Sequence, residues 1–180
     1  MTIEQLKHAI HAACNVSGDH EVLIFGSQAI LGAFPDAPED LLTSLEVDLQ
    51  PKNKPESTDA VDGPLGELSA FHQTHGFYVH SYPIAQIALP SHWEDRVIRV
   101  VDDIGTQRFV GLCLEPHDLA ASKLIADREK DRDYVRTLIV EHLIDSAELI
   151  KRLDSIDIEE PAKLVKLRKW VEETVEDLEG

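Results

Sequence analysis

Basic side chains are scarce in this sequence: 17 Lys and Arg stand against 34 Asp and Glu, a formal charge of −17 over 180 residues. That shortage excludes a general nucleic-acid coating protein, because phosphate binding draws on clustered Lys and Arg. Cysteine is nearly absent as well. Cys14 and Cys113 make no disulfide framework, and their apolar surroundings (Ala12-Ala13-Cys14 and Leu112-Cys113-Leu114) predict buried, inert thiols. No apolar run approaches the roughly twenty residues that a membrane span needs; Val22 to Phe25 is typical of the longest. Met1-Thr2-Ile3-Glu4 opens into an amphipathic pattern with no basic and apolar leader, so a cytoplasmic protein is expected. Gly-x-Gly-x-x-Gly and Walker sequences are missing, which disfavours a Rossmann dehydrogenase and a P-loop NTPase. No Gly-x-Ser-x-Gly elbow occurs either.

What remains is ordinary globular composition, 43% hydrophobic, with no internal repeat. Thr2 and Gln5 have the spacing of a capping box ahead of Ile3, Leu6, Ile10 and Ala13, which recur at helical period. Asn15 to Asp19 is turn chemistry with Gly18 as its hinge. Val22 to Phe25 reads as a strand buried on both faces, a central position in an α/β sheet. Gln28 to Ala33 reads as a short helix with Ser27 as its N-cap. Leu45 to Gln50 alternates, with Leu45, Val47 and Leu49 to one side and Glu46, Asp48 and Gln50 to the other. Pro51 to Pro64 is expected to be a mobile surface loop, followed by a helix over 65–74 and a strand over 77–82. Arg96 to Val101 and Arg108 to Leu114 form a predicted hairpin turning at Gly105. From Pro116 the chain reads as helical, broken near Asp145, Asp154 and Pro161. The expected fold class is α/β (α+β): a small mixed sheet over 1–114 and a helical region over 115–180.

Chemistry concentrates in Phe25-Gly26-Ser27-Gln28 and in Leu45-Glu46-Val47-Asp48-Leu49. A Gly-Ser at a strand-to-helix turn lets backbone N–H groups and a hydroxyl approach a phosphate. Glu46 and Asp48, two apart on a strand, project from one face and make a hard-oxygen pair suited to Mg²⁺ alongside substrate phosphates. A phosphate cradle beside such a metal site is what phosphoryl or nucleotidyl transfer requires.

These residues resemble the nucleotidyltransferase superfamily of DNA polymerase β type, over about 20–50. Asp118-Leu119-Ala120-Ala121-Ser122-Lys123-Leu124, followed by Arg128-Glu129-Lys130-Asp131, resembles the AbiEii-type bacterial nucleotidyltransferase toxins. The resemblance implies that Gly26 and Ser27 hold an NTP, that Glu46 and Asp48 hold Mg²⁺, that Lys123 neutralises phosphate charge and that Asp131 is a further site residue. It also implies transfer of a nucleoside monophosphate to a hydroxyl on an RNA end such as tRNA, a protein or a small molecule, with a toxin–antitoxin setting. Glu46 stands where Asp is commoner in the superfamily. No third carboxylate is evident on a later strand, where Phe77 to Tyr82 offers His80. A degenerate binding or regulatory protein is therefore the alternative reading, and a helical interaction module over 145–179 a third. A homodimer or a protein partner fits any of the three, and a membrane fits none.

Other patterns carry less. Lys123, Asp127 and Asp131 follow at i, i+4 and i+8, one stripe of a helix, where Lys–Asp pairs add little. The pairs His8/His11 and His72/His75 have no further ligands at zinc spacing, and read as solvated helix faces. Arg136 and His142 resemble the Arg/His pair of HEPN ribonucleases but fall on different faces of a helix. Lys163, Lys166, Arg168 and Lys169 with Trp170 offer a nucleic-acid stacking surface, or a solvated face over Leu164, Leu167 and Val171, which is the reading preferred. Residues 1–115 hold six basic and seventeen acidic residues, and 116–180 hold eleven and seventeen. The scarce positive charge thus sits mainly in the helical half.

Overall fold

Thr2 accepts a hydrogen bond from the Gln5 amide at 3.2 Å while Gln5 Oε1 accepts from the Thr2 amide at 2.9 Å. This capping box opens helix α1 (Ile3–Ser17), which ends at Gly18 in the left-handed conformation, φ 66°. Leu6, Ala9, Ile10, Ala13 and Cys14 form its fully buried face, and each Leu or Ile so buried is worth about 1.5–3 kcal/mol. In the computed structural model the described residues are 1–102 and 108–179. The predicted turn at Gly105 lies outside them.

Among the described residues five strands follow: β1 (Glu21–Phe25), β2 (Glu46–Pro51), β3 (Tyr78–Ser81), β4 (Ile98–Val101) and β5 (Val110–Cys113). Their order in the sheet is β3-β2-β1-β5-β4. β1 runs antiparallel to β2 and parallel to β5, β2 runs parallel to β3, and β4 pairs antiparallel with β5. The apolar run of β1 takes the centre, with Val22, Ile24 and Phe25 fully buried. In β2, Val47 and Leu49 are fully buried as the alternation requires, while Leu45 lies just outside the strand and is exposed. Gln50 is buried too, its side-chain oxygen accepting from the Ile84 amide at 2.7 Å. Cys14 and Cys113 are free and fully buried, and burial pushes both thiols up to about 12.

Several local expectations are corrected. The turn after β1 enters a 3-10 helix, Ser27–Gly32, in which Gly26 takes the cap position and no side chain caps it. Ser27 is therefore the first helical residue and not the N-cap, because Gly26 at φ 78° occupies the pre-helical position. The segment 51–64 is not a free loop. It contains a 3-10 turn, Pro55–Ser57, and helix α2 (Thr58–Leu65), whose Thr58, Val61 and Leu65 are buried. The predicted 65–74 helix is instead the end of α2, a break with Leu68 at φ 63°, and α3 (Ala70–His75), capped by Ser69.

Asp19 explains why 51–64 is ordered. Its buried carboxylate accepts from the Asn53 amide (2.6 Å), the Lys54 amide (3.0 Å), Asn53 Nδ2 (2.9 Å) and the Glu21 amide (3.2 Å). Burial opposes the charge, but these donors outweigh it and hold the carboxyl below the usual range. A folded-state pKa below the unfolded value gives stability that is full above about pH 4 and lost as pH falls through the folded value. Asp19→Ala is expected to cost about 2 kcal/mol at pH 7, with a smaller difference from wild type at pH 3. Urea unfolding followed by circular dichroism at both pH values measures this, and an equal difference at the two would refute it.

The chain divides into two compact units, Met1–Gln86 with Val97–Glu115, and Ile87–Arg96 with Pro116–Gly180. The first holds the sheet and α1–α3. The second holds α4 (Pro116–Ala126), α5 (Glu129–Val140), α6 (Ser146–Asp154) and α7 (Pro161–Glu179). Asp145 caps α6, accepting from the Glu148 amide at 2.8 Å, and Pro161 begins α7. One break went unforeseen: Asp127 adopts φ 57° and separates α4 from α5. Lys123, Asp127 and Asp131 accordingly do not lie on one helical stripe. In α7, Leu167 and Val171 are buried while Lys166, Arg168 and Lys169 are exposed, the solvated-face arrangement. Trp170 is flanked by the guanidinium groups of Arg132 and Arg136, 5.5 and 5.7 Å from its ring. Among the described residues no helix is long and apolar enough to cross a membrane.

Candidate active site

The site grows from strand register. Phe25, the last residue of β1, pairs with Asp48 on β2, so the chain leaves β1 at Gly26 directly against the Asp48 side chain. A Cβ on Gly26 would lie 1.9 Å from Asp48 Oδ2 and 2.8 Å from its Cγ. Glycine is needed here twice over, for the positive φ and for the space the carboxylate occupies. The turn is tied to the acidic strand from the other side too. Gln28, fully buried, donates from Nε2 to the Ser44 carbonyl at 3.0 Å, and Ser44 Oγ accepts from the Glu46 amide at 3.1 Å.

On the far side of β2, parallel pairing sets Tyr78 beside Glu46 and His80 beside Asp48. His80 Nδ1 lies 2.8 Å from Glu46 Oε1 and 3.4 Å from Asp48 Oδ1, and the Tyr78 hydroxyl donates to Glu46 Oε2 at 3.3 Å. Burial opposes charge on Glu46, yet its contacts with the His80 imidazole and the Tyr78 hydroxyl keep it below the ordinary carboxylate range. Burial, and then the negative field of Glu46 and Glu67, pushes the Tyr78 phenol up to about 12. One ligand atom from each of Glu46, Asp48 and His80 lies within 4.8 Å of the other two. Among the described residues this is the group of three whose donors converge in that way. A cleft of about 460 Å³ opens beside it, lined by Glu46, Asp62, Glu67, Tyr78 and His80 among others. That volume lies within the range of about 300–1,000 Å³ that small-molecule sites occupy. Asp62 is fixed there by accepting from the Ser81 amide at 3.2 Å.

The sequence-predicted residues thus fall in two places. Gly26, Ser27, Glu46 and Asp48 come together in the sheet unit. Lys123 and Asp131 meet each other within the helical unit, Nζ to Oδ1 at 3.4 Å. Asp131 is almost wholly buried and also receives Arg128 Nε at 2.5 Å, while the Lys123 ammonium lies 4.4 Å from the Tyr134 ring. Among the described residues the other histidines form no such donor group. His8, half-buried, packs edge-on to His75 at 4.4 Å near Phe71 and Phe77, while His75 itself stays exposed as the solvated-face reading expects. His142 falls beyond the end of α5, so it shares no helix with Arg136.

His80 and Tyr78 were not foreseen as a pair with the acids. The available signal was spacing, since Tyr78-Val79-His80 repeats the two-residue step of Glu46-Val47-Asp48 on a strand that pairs with it.

A donor set of two carboxylates and an imidazole beside a glycine turn suits a divalent cation and a phosphate. No curated protein and no solved structure matches the chain. The family model described as a nucleotidyltransferase of unknown function (DUF6036) matches residues 3–177, almost the whole length, and the chain belongs to that nucleotidyltransferase family.

Proposed function

We propose that the protein transfers a nucleoside monophosphate from an NTP to a hydroxyl acceptor, using a divalent cation held by Glu46 and Asp48. The observation that carries this reading is the abutment of the Gly26 turn on Asp48 of the paired-carboxylate strand. Backbone amides at Gly26-Ser27 and the Ser27 hydroxyl receive phosphate oxygens. Glu46 and Asp48, projecting from one face of β2, fix the position of the reacting phosphate. Glu46 and Asp48 would hold the cation, which would supply neutralisation of triphosphate charge and a lowered pKa for the acceptor hydroxyl. Lys123, its ammonium held by Asp131, is proposed to neutralise phosphate charge.

The acceptor belongs in the cleft beside Glu46. Its lining by Glu46, Asp62 and Glu67 repels a bare triphosphate and accommodates a hydroxylated group.

Calorimetry with each NTP, with and without divalent cation, tests the proposal. Cation-dependent binding of at least one NTP is expected, together with pyrophosphate release once an acceptor is supplied. If no NTP binds with any cation, the fold serves as a binding or regulatory scaffold instead.

A further inference from the structure

We propose that His80 is a ligand of the cation held by Glu46 and Asp48, and that the resulting donor set favours a first-row transition ion over Mg²⁺. This deepens the nucleotidyl-transfer reading and rests on it for the presence of a cation.

The argument begins with the backbone. Parallel pairing fixes His80 next to Asp48 in the sheet, so its side chain leaves from the same face as the two acids. The imidazole is also turned the right way. It is Nδ1 that faces both carboxylates, at 2.8 and 3.4 Å, and the three donors converge within 4.8 Å. His80 retains a half-exposed side chain, while those of Glu46 and Asp48 are more covered. The cluster is thus reachable by an ion from the cleft that Glu46 and His80 both line.

Ligand chemistry then decides which ion. Mg²⁺ demands oxygen donors and dehydrates reluctantly. Imidazole suits the transition ions, and their affinity for a given nitrogen–oxygen site rises from Mn²⁺ toward Cu²⁺. Mn²⁺ sits at the weak end of that series while also accepting carboxylates, so it is the most demanding probe of the preference.

The competing role for His80 is hydrogen bonding alone: Nδ1–H donating to Glu46, holding that carboxylate in place with no bond to the ion. The two roles differ in whether nitrogen is bonded to the metal. The test uses the full chain, Mn²⁺ as the probe, pulsed paramagnetic resonance to detect nitrogen coupling, and Mg²⁺ competition to measure relative affinity. Wild type is expected to show directly coordinated nitrogen, altered by [¹⁵N]histidine labelling, and to bind Mn²⁺ at least about tenfold more tightly than Mg²⁺. His80→Asp is expected to abolish the coupling and move the affinity ratio toward Mg²⁺ by about tenfold.

Absence of nitrogen coupling in wild type overturns the inference without recourse to any variant. So does an unchanged Mn²⁺/Mg²⁺ ratio in a folded His80→Asp. NTP turnover separates the two proposals. Turnover without nitrogen coupling removes His80 from the metal and leaves nucleotidyl transfer standing, whereas nitrogen coupling with no turnover under any cation does the reverse.

Discussion

Asp48→Asn is expected to abolish NTP turnover, lowering kcat by at least about 10³-fold, while the protein keeps its wild-type circular dichroism. A 10³-fold loss corresponds to about 4 kcal/mol of transition-state stabilisation. The substitution conserves shape and removes one negative charge and one oxygen donor from a cluster of three donors. Since the remaining groups, Glu46 and His80, stay 2.8 Å apart, local structure has little reason to change. On the proposed chemistry activity does change, because a cation held by one carboxylate fewer would neutralise and position the triphosphate less well. Turnover within threefold of wild type in a folded Asp48→Asn would exclude Asp48 from the reaction.

Gly26→Ala provides the companion experiment. A methyl group there meets the Asp48 carboxylate at 1.9 Å and sits on a backbone at φ 78°. The flexible end of Asp48 is the part that yields, so the carboxylate moves off its position with its charge unchanged. If placement and not charge alone matters, Gly26→Ala loses most of the activity that Asp48→Asn loses. It also loses stability, because φ 78° with ψ −174° is a backbone region that essentially only glycine adopts and that costs another residue about 1–3 kcal/mol. Asp48→Asn carries no such strain. Retained activity in Gly26→Ala would show that the turn serves only the backbone.

How much of this was readable beforehand follows from the range of the interactions. Local signals were enough for the Thr2–Gln5 capping box, for β1 as a four-residue apolar run and for the common face of Glu46 and Asp48. Pro161 likewise marked the start of α7. Expectations failed where a contact distant in sequence overrode local composition. Pro51 to Pro64 has the residues of a loop, yet Asp19, more than thirty positions away, fastens Asn53 and Lys54, and Val61 finds the core. The α4–α5 corner failed for the opposite reason. Asp127 adopts a left-handed backbone that Asp tolerates better than most residues, and nothing in a run of acids and bases announces it. His80 needed knowledge of strand order, because only the β2–β3 pairing makes it a neighbour of Asp48. β3 carries an imidazole beside Asp48 and no carboxylate.

Asp118 shows the same limit on a larger scale, and it carries the largest expected stability change. Its carboxylate is fully buried at the start of α4. Arg96 grips it with two hydrogen bonds, Nε to Oδ2 at 2.8 Å and Nη2 to Oδ1 at 2.9 Å, and Arg152 Nε lies 3.2 Å from Oδ1. Arg96 also donates to the Ser91 carbonyl, and Arg152 pairs with Glu148. One carboxylate thus joins the 87–96 segment, α4 and α6. Asp118→Ala removes the buried anion that both guanidinium groups share, and is expected to cost about 3–5 kcal/mol. Each arginine side chain keeps 22% exposure, so water reaches both and the lower end of that range is the closer expectation. The order of costs is the sharper test. Arg96→Ala removes the two-bond partner of a buried carboxylate, so it should rank second. Arg152→Ala leaves the Arg96 pair intact and should cost least, about 1 kcal/mol. Both tryptophans, Trp93 and Trp170, belong to this unit, so urea unfolding followed by tryptophan fluorescence reads it directly. Equal costs for the three variants would mean that the charges act independently at the surface, and that packing of α4 against α6 holds the helical unit without them.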